Sequence, residues 1–372
     1  MSDTLQNPSP LPTASRKDEH LALVLRENVA FSGLSLGFGR FALEYDALPE
    51  INLDEVDPSI QLFGKRLRAP ILIGAMTGGT PFAGRINQTL ARVASRLGLG
   101  LALGSQRVMV EDPSLTWTYD VRGEHPELPL LFGNIGAVQL NRGISIDRVF
   151  EALEHLHIDA LNVHLNPLQE AIQPEGDTCF ANLLPKLKEL VNASPVPVII
   201  KECGAGLSRR TLSKLVALPI AGVEVAGVGG TSWARVESKR CPEGSTRREV
   251  GERLSGYGVP TPDSTVIART FFKDRLVIAS GGIRNGIDAA IAIALGADAV
   301  ALAAPVLERV VESEEAAVHF LEALIEEMRI LMFASGIRSI DELKNAVVIA
   351  INDDPILALH APHLGGRLRR GW

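Results

Sequence analysis

The sequence predicts an α/β fold: a TIM (β/α)8 barrel, built as a single domain with an N-terminal extension and a loop insertion between strands 6 and 7. Eight short apolar segments occur along the 372 residues, and most are separated by segments with helical periodicity. Polar and titratable residues follow the C-terminal end of each apolar segment, where TIM barrels carry their active sites. The alternative is a doubly wound sheet, which usually has fewer strands and a GxGxxG fingerprint after strand one that is absent here.

Each element follows from apolar patterning, taken in chain order. Residues 34–63 are predicted to be an irregular lead-in of loops and short turns, and residues 70–75 form a continuous apolar run typical of a strand buried on both faces. The other predicted strands are residues 99–103, 130–132, 160–163, 197–200, 221–225, 277–280 and 299–304. Helices are predicted over residues 86–97, 146–156, 207–218, 287–295 and 312–333, and Ser339 with Glu342 forms a capping box that begins another.

The stretch from residue 276 to residue 307 combines a strand, a glycine turn, a helix and a second strand. Gly281 and Gly282 allow a tight turn and a close approach between backbone and ligand. Loops after strands 7 and 8 of TIM barrels often bind phosphate through backbone N–H groups. The residues that fit this role are Gly282, Ile283, Arg284, Ala303 and Ala304. The alternative is a structural turn without a ligand.

Composition argues against several classes of function. The net charge is -7 and no long basic patch occurs, so nucleic acid is not an expected partner. No apolar run approaches 18 residues and no signal peptide is visible, so we expect a cytoplasmic protein without a membrane partner. Cys179, Cys203 and Cys241 lack CxxC spacing and fit reduced thiols. We expect residues 1–15 to be a disordered N-terminal segment and residues 16–372 to form the domain.

The strongest catalytic motif is HLNPLQE, just past the fourth predicted strand. His164, Asn166 and Gln169 can orient a polar substrate. The carboxylate of Glu170 is an oxygen ligand suited to Mg²⁺. The alternative is a polar loop with a hydrogen-bonded histidine.

Other strand ends carry single candidates. Lys201 ends strand 5, and a buried lysine is costly unless it meets an anion or an electron-rich partner. Beside a flavin it would stabilise negative charge at the N1–C2 edge of the ring, whereas the alternative is an ion pair with Glu202 or Glu224. Arg107 suits bidentate contact with a diphosphate or forms a surface salt bridge. The hydroxyl of Thr231 contacts a ligand or makes a structural turn.

Two segments have open roles. Arg16, Lys17 and His20 form a basic cluster that is either a solvated face or reaches over a site to hold an anion. Residues 233–262 form a charged insertion that we expect to be too polar for the core. It is either a lid that excludes water or a plain surface excursion.

The chain resembles the type 2 isopentenyl-diphosphate Δ-isomerase family through motifs in the same order, from about residue 16 to about residue 307: RKDEH, AMTGG, GSQR, GNIG, HLNPLQE, KECGAG, GVGGTSW and ASGGIRNG. This resemblance implies a cytoplasmic, FMN-dependent TIM barrel that needs Mg²⁺ and a reduced flavin, with NADPH as the usual reductant. It implies interconversion of isopentenyl and dimethylallyl diphosphate in isoprenoid biosynthesis, without net redox change. It also implies a homo-oligomer, a tetramer or an octamer.

The resemblance assigns roles to individual residues. Substrate would be bound by Arg16, Lys17, Ser105, Gln106, Arg107 and Gln169. FMN would contact Ala75, Met76, Thr77, Ser105, Asn134, Lys201 and Thr231, with its phosphate on Gly282, Ile283, Arg284, Ala303 and Ala304. Glu170 would hold Mg²⁺ with the diphosphate. The catalytic pocket would be formed by Gln169, His164 and Asn166, with Gln169 a positioning group or minor proton relay and flavin N5 giving and taking the protons. Two departures, Glu224 for the family's usual Asp and Ile291 for a common Lys, leave open a shifted substrate preference.

Two other functions remain as alternatives. An FMN-dependent α-hydroxy-acid oxidase or dehydrogenase would share the barrel and the phosphate loops. It needs a histidine base near the later strand ends, where this chain has GVGGTSW. A non-catalytic flavin- or phosphate-binding regulator would not need the dense polar set in HLNPLQE.

Overall fold

Eight parallel strands close into a barrel in the computed structural model, which describes residues 12–30, 37–351 and 363–370. The barrel strands are β1 (Ile71–Ile73), β2 (Gly100–Ala102), β3 (Leu130–Gly136), β4 (Ala160–Leu165), β5 (Val198–Glu202), β6 (Gly222–Glu224), β7 (Leu276–Ser280) and β8 (Ala299–Leu302). Each strand pairs in parallel with the next along the chain, and β8 pairs with β1 to close the ring. The predicted TIM barrel is confirmed.

Helices follow most of the barrel strands, and others lie before and after the barrel in the chain. They are α1 (Pro12–Arg26), α2 (Pro81–Leu97), α3 (Arg107–Glu111), α4 (Ile146–Glu154), α5 (Pro167–Ile172), α6 (Leu183–Ala193), α7 (Arg209–Leu215), α8 (Trp233–Arg240), α9 (Thr246–Arg253), α10 (Thr261–Phe271), α11 (Gly286–Ala294), α12 (Ala304–Glu312), α13 (Glu314–Phe333) and α14 (Ile340–Leu343). Capping sets their limits: the Thr80 hydroxyl accepts a hydrogen bond from Ala83 N at the start of α2, and Gly98 ends that helix in the left-handed conformation. None of the helices described has the length and apolar character needed to cross a membrane.

The inside of the barrel is a separate apolar core. Leu72, Phe132 and Ile278 are among its inward-facing residues, and they cluster with Leu62 and Leu67 from a hairpin of two short strands, Ile60–Leu62 and Lys65–Leu67. Lys65 lies 3.7 Å from the carboxylate of Asp159, the residue just before β4. The hairpin therefore fills the end of the barrel where the strands begin, and the opposite end is free to form a site.

The segments before and after the barrel pair with each other. The strand Phe41–Leu43 is antiparallel to Val348–Ala350, which is parallel to Leu368–Arg370. Helix α1 begins at Pro12, so residues 12–15 are helical and the expectation that they are disordered is wrong. Residues 1–11 of that expected segment lie outside the described residues.

The insertion between β6 and β7 is folded. It contains α8, α9, a short 3-10 helix (Leu254–Gly256) and the start of α10. The expectation that it is too polar to be core is wrong for part of α8, because Glu237 and Ser238 are fully buried. Their polar groups are hydrogen-bonded, which makes burial possible: Ser238 Oγ, for example, donates to the carbonyl oxygen of Arg248 at 2.8 Å.

Candidate active site

A cavity of about 480 Å³ opens at the C-terminal ends of the strands, with α1 along one wall. All but one of the residues predicted to form the site line it. They are Arg16, Lys17, Ala75, Met76, Thr77, Ser105, Arg107, Asn134, His164, Asn166, Gln169, Glu170, Lys201, Thr231, Gly282, Ile283, Arg284, Ala303 and Ala304. The barrel therefore brings together residues that are up to 288 positions apart, from Arg16 to Ala304.

Gln106 is the exception, and its assignment to substrate binding is corrected. Its side chain is fully buried and absent from the cavity wall. Nε2 donates to the carbonyl oxygen of Gly104 at 2.7 Å, and Oε1 accepts from the backbone N–H of Asn134. Gln106 therefore joins the loop after β2 to β3, and its amide is buried away from the cavity.

Glycine backbones form the wall at β6 and β7. Gly281 and Gly282 have φ of +99° and +82°. A Cβ on Gly282 would lie 2.7 Å from the carbonyl of Gly229, so the loops after β6 and β7 pack backbone against backbone. Arg284 fixes this contact, donating at 3.0 Å from Nη1 to Gly282 O and from Nη2 to Gly229 O.

The wall has features that fit FMN. Thr77 Oγ1 is buried at the cavity and has no hydrogen-bond partner among the residues that the structure describes, so it is available to a polar ligand atom. Helix α12 begins at the cavity without a side-chain cap. Pro305 has no N–H and Val306 N already donates to Ala303 O at 3.1 Å, so an anion such as a phosphate would meet the N–H of Ala304 at this helix start. Lys201 adds a buried cation. Thr231 forms a β-bridge with Ala30, in the segment that follows α1.

Three cations crowd the rim beside α1. The Lys17 ammonium donates to Ser105 O at 2.7 Å and to the Tyr119 phenolic oxygen at 2.8 Å. Burial, then the neighbouring Arg16 and Arg107, lower the pKa of Lys17 to about 7. Burial and Arg107 also lower the pKa of Arg16. Crowded cations of this kind favour an anion, which would relieve their mutual repulsion. Arg107 does form a salt bridge, to Glu111 at 2.7 Å, while still lining the cavity.

His164 is a neutral residue. Burial, then Lys201, Lys17 and Arg16, lower its pKa to about 3. Its Nδ1 lies 2.9 Å from Asn134 Oδ1, and Asn134 Nδ2 donates to Leu103 O, which fixes the orientation of that amide. Because an amide oxygen only accepts, Nδ1 carries the proton and Nε2 is left as an acceptor. His164 is therefore a hydrogen-bond acceptor in the cavity, not an acid.

Glu170 offers the carboxylate of the HLNPLQE loop. Its Oε1 accepts from Asn166 Nδ2 at 2.9 Å and its Oε2 from Asp177 N at 2.6 Å. The buried Oδ1 of Asn166 has no hydrogen-bond partner within the described ranges of the chain. In the described part of the chain no group of three His, Cys, Asp or Glu residues could hold a metal. One carboxylate with a neighbouring amide oxygen fits Mg²⁺, which usually keeps waters and takes further oxygens from a substrate phosphate.

Sequence reasoning missed Glu237 of α8. Its Oε1 lies 2.8 Å from His20 Nε2 and accepts from Gln169 Nε2 at 3.1 Å, and its Oε2 accepts from Arg240 Nη1 at 2.7 Å. Burial raises its pKa, but the hydrogen bonds from His20, Arg240 and Gln169 outweigh this, so the pKa is lowered and Glu237 is ionised. Glu237 thus ties the amide of Gln169 to α1. The sequence offers only the spacing: Glu237 lies four residues after Trp233 and so shares its helix face, which does not by itself predict burial.

Other wall residues were not singled out. Gln139 is buried in the wall and its amide has no hydrogen-bond partner among the described residues. With its amide nitrogen oriented toward Glu237, Gln173 donates to Glu237 Oε1 and accepts from Arg16 Nη1. Cys203 also lines the cavity, but burial raises its pKa to about 12, so the thiol is protonated and no nucleophile forms.

Comparisons with known proteins show the class of enzyme to which this chain is similar. Residues 179–350 match the family model of FMN-dependent dehydrogenases. The chain is similar in fold to mandelate oxidase (TM-score 0.61, 18% identity, 90% of this chain and 96% of that one) and to a lactate oxidase of Pediococcus acidilactici (TM-score 0.63, 16% identity, 94% and 97%). Fold, glycine loops and family model together define a TIM-barrel enzyme of the FMN-dependent class.

Whole-chain relatives give the family within that class. Isopentenyl-diphosphate delta-isomerases are 43% identical in a Nostoc species (90% of this chain, 95% of the relative), 44% in Stutzerimonas stutzeri (91% and 97%) and 40% in Ignicoccus hospitalis (91% and 94%). The chain belongs to the isopentenyl-diphosphate delta-isomerase family, in its FMN-dependent form.

Proposed function

We propose that this chain interconverts isopentenyl and dimethylallyl diphosphate in isoprenoid biosynthesis, with reduced FMN and Mg²⁺ bound in the cavity. The observation that carries the proposal is the crowding of Arg16, Lys17 and Arg107 beside the carboxylate of Glu170 at a cavity with apolar walls. The cations suit the negative charge of a diphosphate, and the carboxylate would bind the Mg²⁺ that accompanies it. Leu21 and Val24 of α1 offer apolar contact for a prenyl chain.

The cations bind and orient the head of the substrate. Lys17 is anchored through Ser105 and Tyr119, and Arg107 through Glu111, so both are held in place before an anion arrives. Holding the head in this way fixes the double bond relative to the groups that exchange protons with it. Glu170 would hold Mg²⁺ together with the diphosphate oxygens.

The polar side chains near the tail position the substrate without acting as strong acids. His164 is neutral, and its Nε2 is available as a hydrogen-bond acceptor because Nδ1 carries the proton. The Gln169 amide is held at both ends: its Nε2 donates to Glu237, and its Oε1 accepts from Asn166 Nδ2 at 3.2 Å. Protonating an alkene requires a strong, well-placed acid, and neither residue is one.

FMN fits the wall formed by Thr77, Lys201, the glycine loops and the start of α12. When bound in its reduced form it would supply the acid and base at N5 that the side chains lack. Thr77, Asn134, Lys201 and Thr231 would hold the ring, and residues 282–284, 303 and 304 its phosphate.

The deciding experiment is an anaerobic assay of purified protein with isopentenyl diphosphate, FMN and Mg²⁺ in D₂O, followed by NMR. We expect dimethylallyl diphosphate and deuterium incorporation only when the FMN is reduced by dithionite or NADPH. Equal activity with oxidised FMN, or failure to bind FMN, would overturn the proposal. A parallel assay with mandelate and lactate tests the hydroxy-acid alternative, which requires bleaching of the flavin by substrate.

Three finer statements accompany the proposal as predictions: NADPH as the reductant, a tetramer or octamer, and a cytoplasmic location. Stopped-flow reduction by NADPH, light scattering and cell fractionation test them in turn.

A further inference from the structure

Three neighbouring strands place a row of polar side chains along one side of the cavity. In the parallel register, His164 on β4 is the partner of Lys201 on β5, and Lys201 is the partner of Glu224 on β6. Partner residues on adjacent strands direct their side chains to the same face of a sheet. All three side chains line the cavity, so Lys201 has a neutral imidazole on one side and a carboxylate on the other.

Lys201 depends on Glu224 for its counter-charge. Its Nζ donates to the carbonyl oxygen of Glu202 at 2.7 Å and lies 3.5 Å from Glu224 Oε1. The Glu202 carboxylate is engaged elsewhere, because its Oε2 accepts the backbone N–H groups of residues 203–206 at 2.5–3.2 Å. The Cys203 thiol also faces Lys201 but is protonated. Burial lowers the pKa of Lys201, but the neighbouring Glu224, Cys203 and Glu202, with Glu224 the largest of the three, together outweigh this, so the pKa is raised and the lysine is a cation.

The next strand holds Glu224 in place. Ser280, the last residue of β7, donates from Oγ to Glu224 Oε1 at 2.8 Å. This is the same oxygen that faces Lys201, and both Ser280 and Glu224 are buried. The hydroxyl therefore draws part of the carboxylate's negative charge away from the lysine.

We propose that Glu224 is a positioning residue that balances the charge of Lys201 and, with Ser280, sets the reduction potential of the bound FMN. This inference rests on the proposed function, in which Lys201 is the buried cation beside the flavin ring. A cation there favours the reduced ring, which carries more negative charge at N1–C2 than the oxidised ring. Glu224 weakens that effect and Ser280 restores part of it.

The test is the midpoint potential of FMN in the holoprotein at pH 7, measured by anaerobic spectroelectrochemistry. In Glu224→Gln, the preference for reduced over oxidised FMN is expected to rise at least tenfold, a positive shift of about 30 mV for a two-electron couple. In Ser280→Ala the shift of the potential is expected to have the opposite sign, because the full negative charge of Glu224 then acts on Lys201. A role limited to packing would move neither potential while FMN stays bound.

A double-mutant cycle with Lys201→Met separates the lysine from its partner. Without the cation, Glu224→Gln is expected to shift the potential by less than a third of its effect in the parent protein. An equal shift in both backgrounds overturns the proposal, as does an unchanged potential in Glu224→Gln. If that variant does not fold, Ser280→Ala decides alone, since it keeps both charges. Failure of the parent protein to bind FMN would instead overturn the proposed function.

Discussion

The ammonium group of Lys17 and the phenol of Tyr119 share one acceptor: both donate to the carbonyl oxygen of Ser105, at 2.7 and 2.8 Å. Lys17 also donates to the phenolic oxygen and lies 5.3 Å from the centre of the ring. Tyr119 reaches this position because Gly78 has no side chain; a Cβ there would lie 1.9 Å from the tyrosine ring. Burial raises the pKa of Tyr119, so the phenol stays neutral. These contacts attach α1 to the loop after β2.

The first prediction concerns proton uptake by Lys17. Its pKa is about 7 in the folded protein, against 10.5 for an ordinary lysine, and a bound diphosphate would raise it again. Pyrophosphate binding should therefore take up a proton between about pH 7 and 10, and affinity should fall as pH rises through this range. Calorimetry in buffers of different ionisation enthalpy measures the uptake. Lys17→Met should remove the share of the uptake that comes from the lysine, leaving that of pyrophosphate itself, and weaken binding about 10- to 100-fold, while Lys188→Met, on the exposed face of α6, should change neither.

The same pKa has a consequence for stability. Between pH 7 and 10.5 the unfolded chain binds a proton at Lys17 that the folded chain does not. The ligand-free protein should therefore gain stability as pH rises through this window, and the cost is fully present below it. Thermal melts from pH 6.5 to 9.5 check the sign, and a gain of the same size in Lys17→Met would contradict this source.

The second prediction concerns Mg²⁺. Glu170→Gln removes the negative charge but keeps one oxygen near Asn166 Nδ2. We expect at least a tenfold loss of activity at limiting Mg²⁺ with FMN still bound, because the metal loses its charged protein ligand. Titrating Mg²⁺ at fixed substrate measures the effect, and Glu170→Asp, which keeps the charge, should need more metal without losing maximal activity. Unchanged activity of Glu170→Gln at limiting Mg²⁺ would refute the assignment.

The third prediction concerns the glycine loops. In Gly282→Ala the new methyl group would lie 2.7 Å from the backbone of Gly229, at a φ of +82°. We expect FMN affinity to fall at least tenfold, because the phosphate wall must shift. Gly143→Ala is a matched control with a φ of +84°, open space around the Cβ position and no place in the cavity wall. It should cost about 1 kcal/mol of stability and leave FMN fluorescence titrations unchanged; equal FMN affinities in the two variants would argue against a phosphate at Gly282.

The fourth prediction separates Gln106 from its neighbour. Gln106→Ala leaves the buried N–H of Asn134 without an acceptor, so we expect a loss of about 2–3 kcal/mol in the free energy of unfolding with KM changed less than threefold. Arg107→Ala should do the reverse, raising KM at least tenfold with little loss of stability. Melting curves and initial rates on both variants test this, and a larger KM effect in Gln106→Ala would restore its role in substrate binding.

The GSQR motif contains one residue, Gln106, whose orientation the sequence could not predict. The barrel strands and glycine turns were predicted because apolar runs and left-handed turns depend on local chemistry. Which of three consecutive polar residues faces a cavity depends on the path of the chain after the strand, and here Gln106 lies in a turn between the end of β2 and the start of α3. Ser105 and Arg107 line the cavity, while the side chain of Gln106 is buried away from it.

Long-range partners account for the other differences. Glu237 could not be predicted to be buried from a polar helix alone, because its burial depends on His20, more than 200 residues earlier, and on Gln169. The strand Phe41–Leu43 likewise exists through its partner Val348–Ala350. The start of helix α1 was not predicted because residues 12–15 are polar and follow a proline-rich stretch, a composition typical of disordered segments.

The hairpin of Ile60–Leu62 and Lys65–Leu67 closes the end of the barrel where the strands begin, so ligands do not enter through that end. With that end closed by Leu62 and Leu67, the mouth beside α1 is the opening that the described residues leave to the cavity. Under the proposed function, a hydride donor and a prenyl diphosphate would compete for this mouth. Re-reduction of the flavin and turnover of the substrate would then alternate, and a high substrate concentration should slow the re-reduction of oxidised enzyme.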